Sequence, residues 1–159
     1  MLLIRHSTTS TIKTITLSLK YRKEWMMASI KIVNSTSKIT AWDEKAYATF
    51  ENDVKHTQAK ISQHYTGELN GKADVMYLMV YQSATEAVFV GYETITATIN
   101  NLSGTLTLQH LGQYRNGIAS SEFTVVADSG RGDFTNIVGK GHFSSTTNGQ
   151  AEYHFELKM

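Results

Sequence analysis

A chain of 159 residues with a formal net charge of +1 and no cysteine has the length for one domain around a single core. Its scattered charges form no basic stripe for nucleic acid, and the missing cysteines exclude disulfides and thiolate metal sites. No run of about 18 apolar residues is present to span a membrane as a helix, so a cytoplasmic protein without nucleic-acid or membrane partners is expected.

In chain order, residues 1 to 26 read as a translated upstream leader. Arg22-Lys23-Glu24 can be encoded as AGG-AAG-GAG, a purine-rich ribosome-binding sequence just ahead of Met26 and Met27. The competing reading is a genuine extra strand, because Lys13, Ile15, Leu17, Leu19 and Tyr21 alternate with Thr and Ser. The domain itself is expected over residues 27–159.

From Ser29 onward the chain runs in short alternating stretches broken by Asn, Gly and Ser and rich in Thr, Val, Ile and Tyr, an all-β signature. Strands are predicted at 35–43, 57–66, 72–82, 86–100, 104–115, 118–128, 137–146 and 149–158. They suit a single eight-stranded antiparallel barrel of the lipocalin-like kind, closed so that no edge is exposed. Between Trp42 and His56, Tyr47, Phe50 and Val54 fall at helical spacing, which predicts a short helix or an ordered loop there.

The turns set the register. Asn116-Gly117 is the strongest hairpin signal; it pairs Tyr114 with Ala119, Gly112 with Ser121, His110 with Phe123 and Leu108 with Val125. Taking Asn101 to Gly104 as a four-residue loop places Ile99 opposite Leu106, Ala97 opposite Leu108, Ile95 opposite His110 and Glu93 opposite Gly112. Thr94, Thr96, Thr98, Thr107 and Gln109 then face solvent. Turning the last hairpin at Asn148-Gly149 pairs His142 with Phe155. With Tyr153, Phe155 and Leu157 facing inward, His142 joins them and His154 faces out.

The predicted interior therefore carries Glu93 and His110, diagonal neighbours within reach of each other, with Tyr114, Phe123, His142 and Tyr153. One reading makes them satisfied core groups, since a buried carboxylate needs a partner. Another makes them the polar anchors of a ligand cavity with an apolar lining. A metal site is the weakest reading, because the histidines lack HxH or HxxxH spacing; no metal or cofactor is expected. Arg131-Gly132-Asp133 in "SGRGDFTNIVGKG" reads as a glycine-rich corner and not as an adhesion signal. In "ADVMYLMVYQ" both faces are apolar, and Val88, Val90 and Tyr92 extend the outer patch, which points to a homo-oligomer.

The stretches "ITAWDEK" (Ile39 to Lys45), "YTGELNGKADVMYLMVY" (Tyr65 to Tyr81), "FVGYETITATINNLSGTLTLQHLGQY" (Phe89 to Tyr114) and "TVVADSGRGDFTNIVGKGHF" (Thr124 to Phe143) resemble an uncharacterised bacterial family of unknown function. Its members are similar in fold to allene oxide cyclase. The resemblance implies a calycin-like barrel, often oligomeric, with no established activity. The plant cyclase closes a fatty-acid epoxide with a carboxylate and a bound water; its catalytic residues do not map onto this chain position by position, and Glu93 is only an analogous inward carboxylate. Three functional readings follow: a small-molecule-binding barrel anchored by Glu93 and His110, an isomerase or cyclase with Glu93 as base or electrostatic stabiliser and His110 tuning it, and a packed barrel acting only as an oligomer.

Overall fold

The computed structural model describes residues 29–159, all but the first and the last of them within or between nine strands. Both readings of residues 1 to 26 lie outside the described residues. The strands are β1 (Ile30–Thr49), β2 (Lys55–Gly67), β3 (Leu69–Tyr81), β4 (Ala87–Ile99), β5 (Leu102–Arg115), β6 (Ile118–Val125), β7 (Arg131–Gly132), β8 (Val138–Ser145) and β9 (Gln150–Lys158). All pairings are antiparallel, in the order β4-β3-β2-β1-β9-β8-β6-β5, and β4 also pairs with β5. That last pairing closes the sheet into an eight-stranded barrel, and the two-residue β7 lies outside it against Gly104 and Thr105 of β5. The all-β class and the closed barrel are thus as the alternation predicts.

Closure follows from the period-2 pattern: Ala59, Ile61, Tyr65, Val75, Tyr77, Phe89, Ile95, Leu106, Leu108, Phe123, Tyr153, Phe155 and Leu157 point inward and are buried. At one end Leu69, Ile99, Leu106, Leu157 and Phe134 are at most 1% exposed, so that end is sealed. Phe134 comes from the connection after β6 and sits where a side chain on Gly104 would collide with its ring. The Arg131-Gly132-Asp133 corner belongs to this connection. Its Asp133 carboxylate accepts from the Ser103 N–H at 2.8 Å and the Arg131 guanidinium donates to the Asp128 and Gly130 carbonyls at 2.9 and 2.7 Å, which makes it a structural corner.

The expected helix or loop between Trp42 and His56 is instead strand as far as Thr49. β2 takes its backbone hydrogen bonds, pairing Ala46 with Thr57 and Ala48 with His56 around the second of two bulges in β1, the first lying between Ile39 and Ala41. Tyr47 and Phe50 are exposed and flank the His56 ring, so their helical spacing marks no buried face. The chain then turns through Asn52 and Asp53, both at positive φ.

Of the three predicted registers, that around Asn116-Gly117 is observed in full, with both turn residues at positive φ (53° and 78°) as a type I′ turn requires. The β4–β5 register differs by four residues. Asn100 adopts a φ of 54° and the turn is tight, pairing Ile99 with Leu102, Glu93 with Leu108 and Gly91 with His110. An even shift keeps each side chain on its face, and this one moves His110 from opposite Ile95 to opposite Gly91, so Glu93 and His110 are again diagonal neighbours. The β8–β9 register differs by one residue, because Thr147 joins Asn148 and Gly149 in the loop and Thr146 bonds Gln150. That odd shift turns His142 out to face His154, their ring centroids 5.1 Å apart, and puts Phe143 inside in its place.

Candidate functional site

Halfway along the barrel, β4 delivers Glu93 and β5 delivers His110, each almost fully buried. Glu93 Oε2 meets His110 Nε2 at 2.8 Å. Glu93 Oε1 accepts from the Tyr65 hydroxyl at 2.5 Å and from Gln63 Nε2 at 2.6 Å, both on β2. On the far side of the imidazole, Nδ1 meets Ser121 Oγ at 3.0 Å. Every carboxylate and ring heteroatom of the pair therefore has a partner, which is what keeps a buried ionisable pair tolerable. The surrounding wall is aromatic: Tyr77, Phe123 and Phe143 pack on His110 with centroids 5.6, 5.2 and 5.6 Å away.

Room for these rings comes from glycines on the inner face. A side chain on Gly112 would meet the Phe89 ring at 2.3 Å, and one on Gly141 the Phe123 ring at 2.5 Å. The glycines that interrupt the strand pattern are thus positions where large neighbours fill the core.

Above this network the barrel's other end is open and encloses a cavity of about 530 Å³. Ile39, Ile61, Val75, Met79 and Phe89 give it an apolar wall, Gln63, Tyr77 and Tyr153 contribute polar atoms at its base, and Trp42, Tyr81 and Tyr114 line it from the rim. Gln63 Nε2 also reaches the Tyr65 and Tyr153 hydroxyls at 3.2 Å each, so it ties the cavity to Glu93. Burial pushes the hydroxyls of Tyr65, Tyr77 and Tyr153 well above the usual tyrosine range. The charge of Glu93 adds to this at Tyr65 and Tyr153, and the Tyr153 hydroxyl and then Glu93 add to it at Tyr77. These phenols stay protonated donors at any physiological pH.

Among the residues predicted from the sequence, Tyr114 and Tyr153 line the cavity. Glu93, His110 and Phe123 lie within the packed core and do not line it. His142 lies on the outer wall, beside a broader groove of about 880 Å³ that Leu78, Val90, Tyr92 and Leu111 share with Lys140 and Glu156. Sequence reasoning missed Gln63, Tyr65 and Tyr77. The signal for the first two was present: Gln63 interrupts the inward run Ala59, Ile61, Tyr65 as His110 interrupts Leu106 and Leu108.

A second carboxylate sits at the rim. Glu44 accepts from Thr57 Oγ1 and the Tyr81 hydroxyl at 2.7 Å each and from Trp42 Nε1 at 3.1 Å, while Lys55 lies over the Tyr81 ring. Burial alone would raise its pKa, but these donors and Lys55 outweigh that and hold it below the ordinary 4.5. A carboxylate whose folded pKa is depressed contributes stability above its unfolded pKa and loses it as pH falls through the folded value. The expected result is that Glu44→Gln is less stable than wild type near neutral pH and that the gap closes in acid. Urea midpoints of both proteins across that range check it; a gap that is constant with pH would contradict the assignment.

Among the described residues no group of three or more metal-ligating side chains converges. No functionally curated protein matches the chain. A crystal structure of a protein of unknown function from Shewanella oneidensis aligns with 81% of this chain and 97% of its own at 24% identity and a TM-score of 0.68, a likeness of fold. The family model described as "Protein of unknown function (DUF3224)" matches residues 33–157, a span that takes in all but the outermost residues of the barrel and holds the Glu93 network and the cavity; the chain belongs to this family.

Proposed function

We propose that this protein binds a small, mostly apolar molecule in the open end of its barrel. The observation that carries the reading is the cavity itself, an apolar and aromatic enclosure of about 530 Å³ with a few polar atoms gathered at its base, which is the make-up of small-molecule sites. Glu93 and His110 serve it as positioning residues, since they hold Gln63 and, through it, Tyr153. The isomerase or cyclase reading has less support, because both Glu93 oxygens are engaged and neither Glu93 nor His110 lines the cavity. Kinship with the allene oxide cyclase barrel is part of the proposal and rests on the strand closure and the inward carboxylate alone. Self-association is a further part, supported by the exposed apolar Leu78, Val90, Tyr92 and Leu111 on the outer wall.

Native mass spectrometry of the protein purified from its own host, followed by denaturing extraction, tests the reading. A stoichiometric small molecule is expected in the wild type and absent from Ala119→Trp, whose indole fills the cavity where Ala119 now lines it. A bound molecule that survives that substitution would put binding elsewhere on the protein.

A further inference from the structure

We infer that the molecule taken up by this cavity is uncharged and presents a hydrogen-bond-accepting oxygen, of the ketone, ester or ether class, to the hydroxyl of Tyr77; the inference rests on the cavity being a binding site. Two independent observations support it. The first is that the side chains lining the cavity include no Asp, Glu, Lys, Arg or His. A carboxylate, phosphate or ammonium group drawn inside would lose its water without gaining a counter-charge, a penalty that buried ions escape only when paired. The carboxyl groups nearest the base and the rim, Glu93 and Glu44, are already committed to protein donors, and Lys55, over the Tyr81 ring, is not part of the lining, so none of them stands inside the cavity as a counter-charge.

The second observation is Tyr77. The hydroxyls of Tyr65 and Tyr153 are tied into the Glu93 network and that of Tyr81 donates to Glu44. Tyr77 is 6% exposed and wedged by its ring against Phe89 and His110, yet its hydroxyl has no hydrogen-bond partner among the described residues. It is not sealed away either, because no buried side-chain polar atom in the described structure is left unsatisfied. The hydroxyl is therefore open to the cavity that Tyr77 lines. A donor with no protein partner is free to be taken by a bound molecule's acceptor in place of water, and its raised pKa keeps it a donor and not a phenolate.

Titration calorimetry of the full chain with three probes of one shape tests this: acetylnaphthalene, ethylnaphthalene and naphthoate. Acetylnaphthalene is expected to bind best, with naphthoate weaker by about tenfold or more. Tyr77→Phe is expected to weaken acetylnaphthalene by about fivefold, the worth of one hydrogen bond, and to leave ethylnaphthalene unchanged, which shows that the variant keeps its cavity. Naphthoate binding as tightly as the ketone, or Tyr77→Phe affecting ketone and hydrocarbon alike, would overturn the inference while leaving the cavity reading intact. Heat from none of the three would instead count against the cavity as a site.

Discussion

Replacing Glu93 by alanine is expected to destabilise the barrel by about 3 to 5 kcal/mol, the usual cost of removing one partner from a buried ion pair. The loss strands the Tyr65 hydroxyl, the Gln63 amide and the His110 ring together and leaves a void among side chains that are fully buried. Set against a typical domain stability of about 5 to 15 kcal/mol, one substitution removes a large share. Glu93→Gln is expected to cost only about 1 kcal/mol. Its carbonyl still accepts from Tyr65 and Gln63, and its amide donates to a neutral His110 whose Nδ1–H turns to Ser121. Urea denaturation of the three proteins measures this. A Gln variant as unstable as the Ala variant would mean that the negative charge, and not the completeness of the hydrogen bonding, holds the network.

The second large effect is expected at Gly91, which faces Tyr77 on one side and His110 on the other. A methyl group there would lie 1.9 Å from the Met76 carbonyl oxygen and 2.9 Å from the Tyr77 Cα, both backbone atoms that cannot swing aside. Gly91→Ala should therefore force β3 and β4 apart beside Tyr77 and cost about 3 kcal/mol, at the upper end for overpacking. Thr94→Ala on the solvent face of the same strand should stay within about 0.5 kcal/mol. Thermal unfolding of both variants checks the pair of values, and a Gly91→Ala protein as stable as Thr94→Ala would show that the strands yield there.

The same residues explain how much of this was legible in the sequence. Alternation gave each strand its faces wherever one face was polar, so Thr94, Thr96 and Thr98 against Ile95, Ala97 and Ile99 fixed β4 and with it the inward Glu93. The Glu93–His110 contact survives the wrong partner assignment because an error of four residues keeps both faces and only moves His110 from one diagonal position beside Glu93 to the other. His142 did not survive an error of one residue, since nothing local distinguishes a two-residue turn at Asn148-Gly149 from a loop that also takes in Thr147. Tyr77 was hidden for a different reason: in "ADVMYLMVY" both faces are apolar, and parity carries no sign. The second half of long β1 reads as helix or loop in the sequence because the bulge between Ala46 and Ala48 breaks the alternation where Tyr47, Phe50 and Val54 imitate a helix. Partnering is a tertiary property, and so the difference between a tied Tyr65 and an open Tyr77 cannot be read from either residue's neighbours in the chain.

The two methionines of β3 offer the most direct test of the central claim. Met79 lines the interior cavity and Met76 lines the groove on the outer wall, three residues apart but on opposite faces of one strand. Methyl resonances of methionine-labelled protein titrated with acetylnaphthalene report the two surfaces separately. Binding inside the barrel predicts a saturating shift of Met79 with Met76 unmoved. A shift of Met76 with Met79 unmoved would place binding on the outer wall and contradict the account.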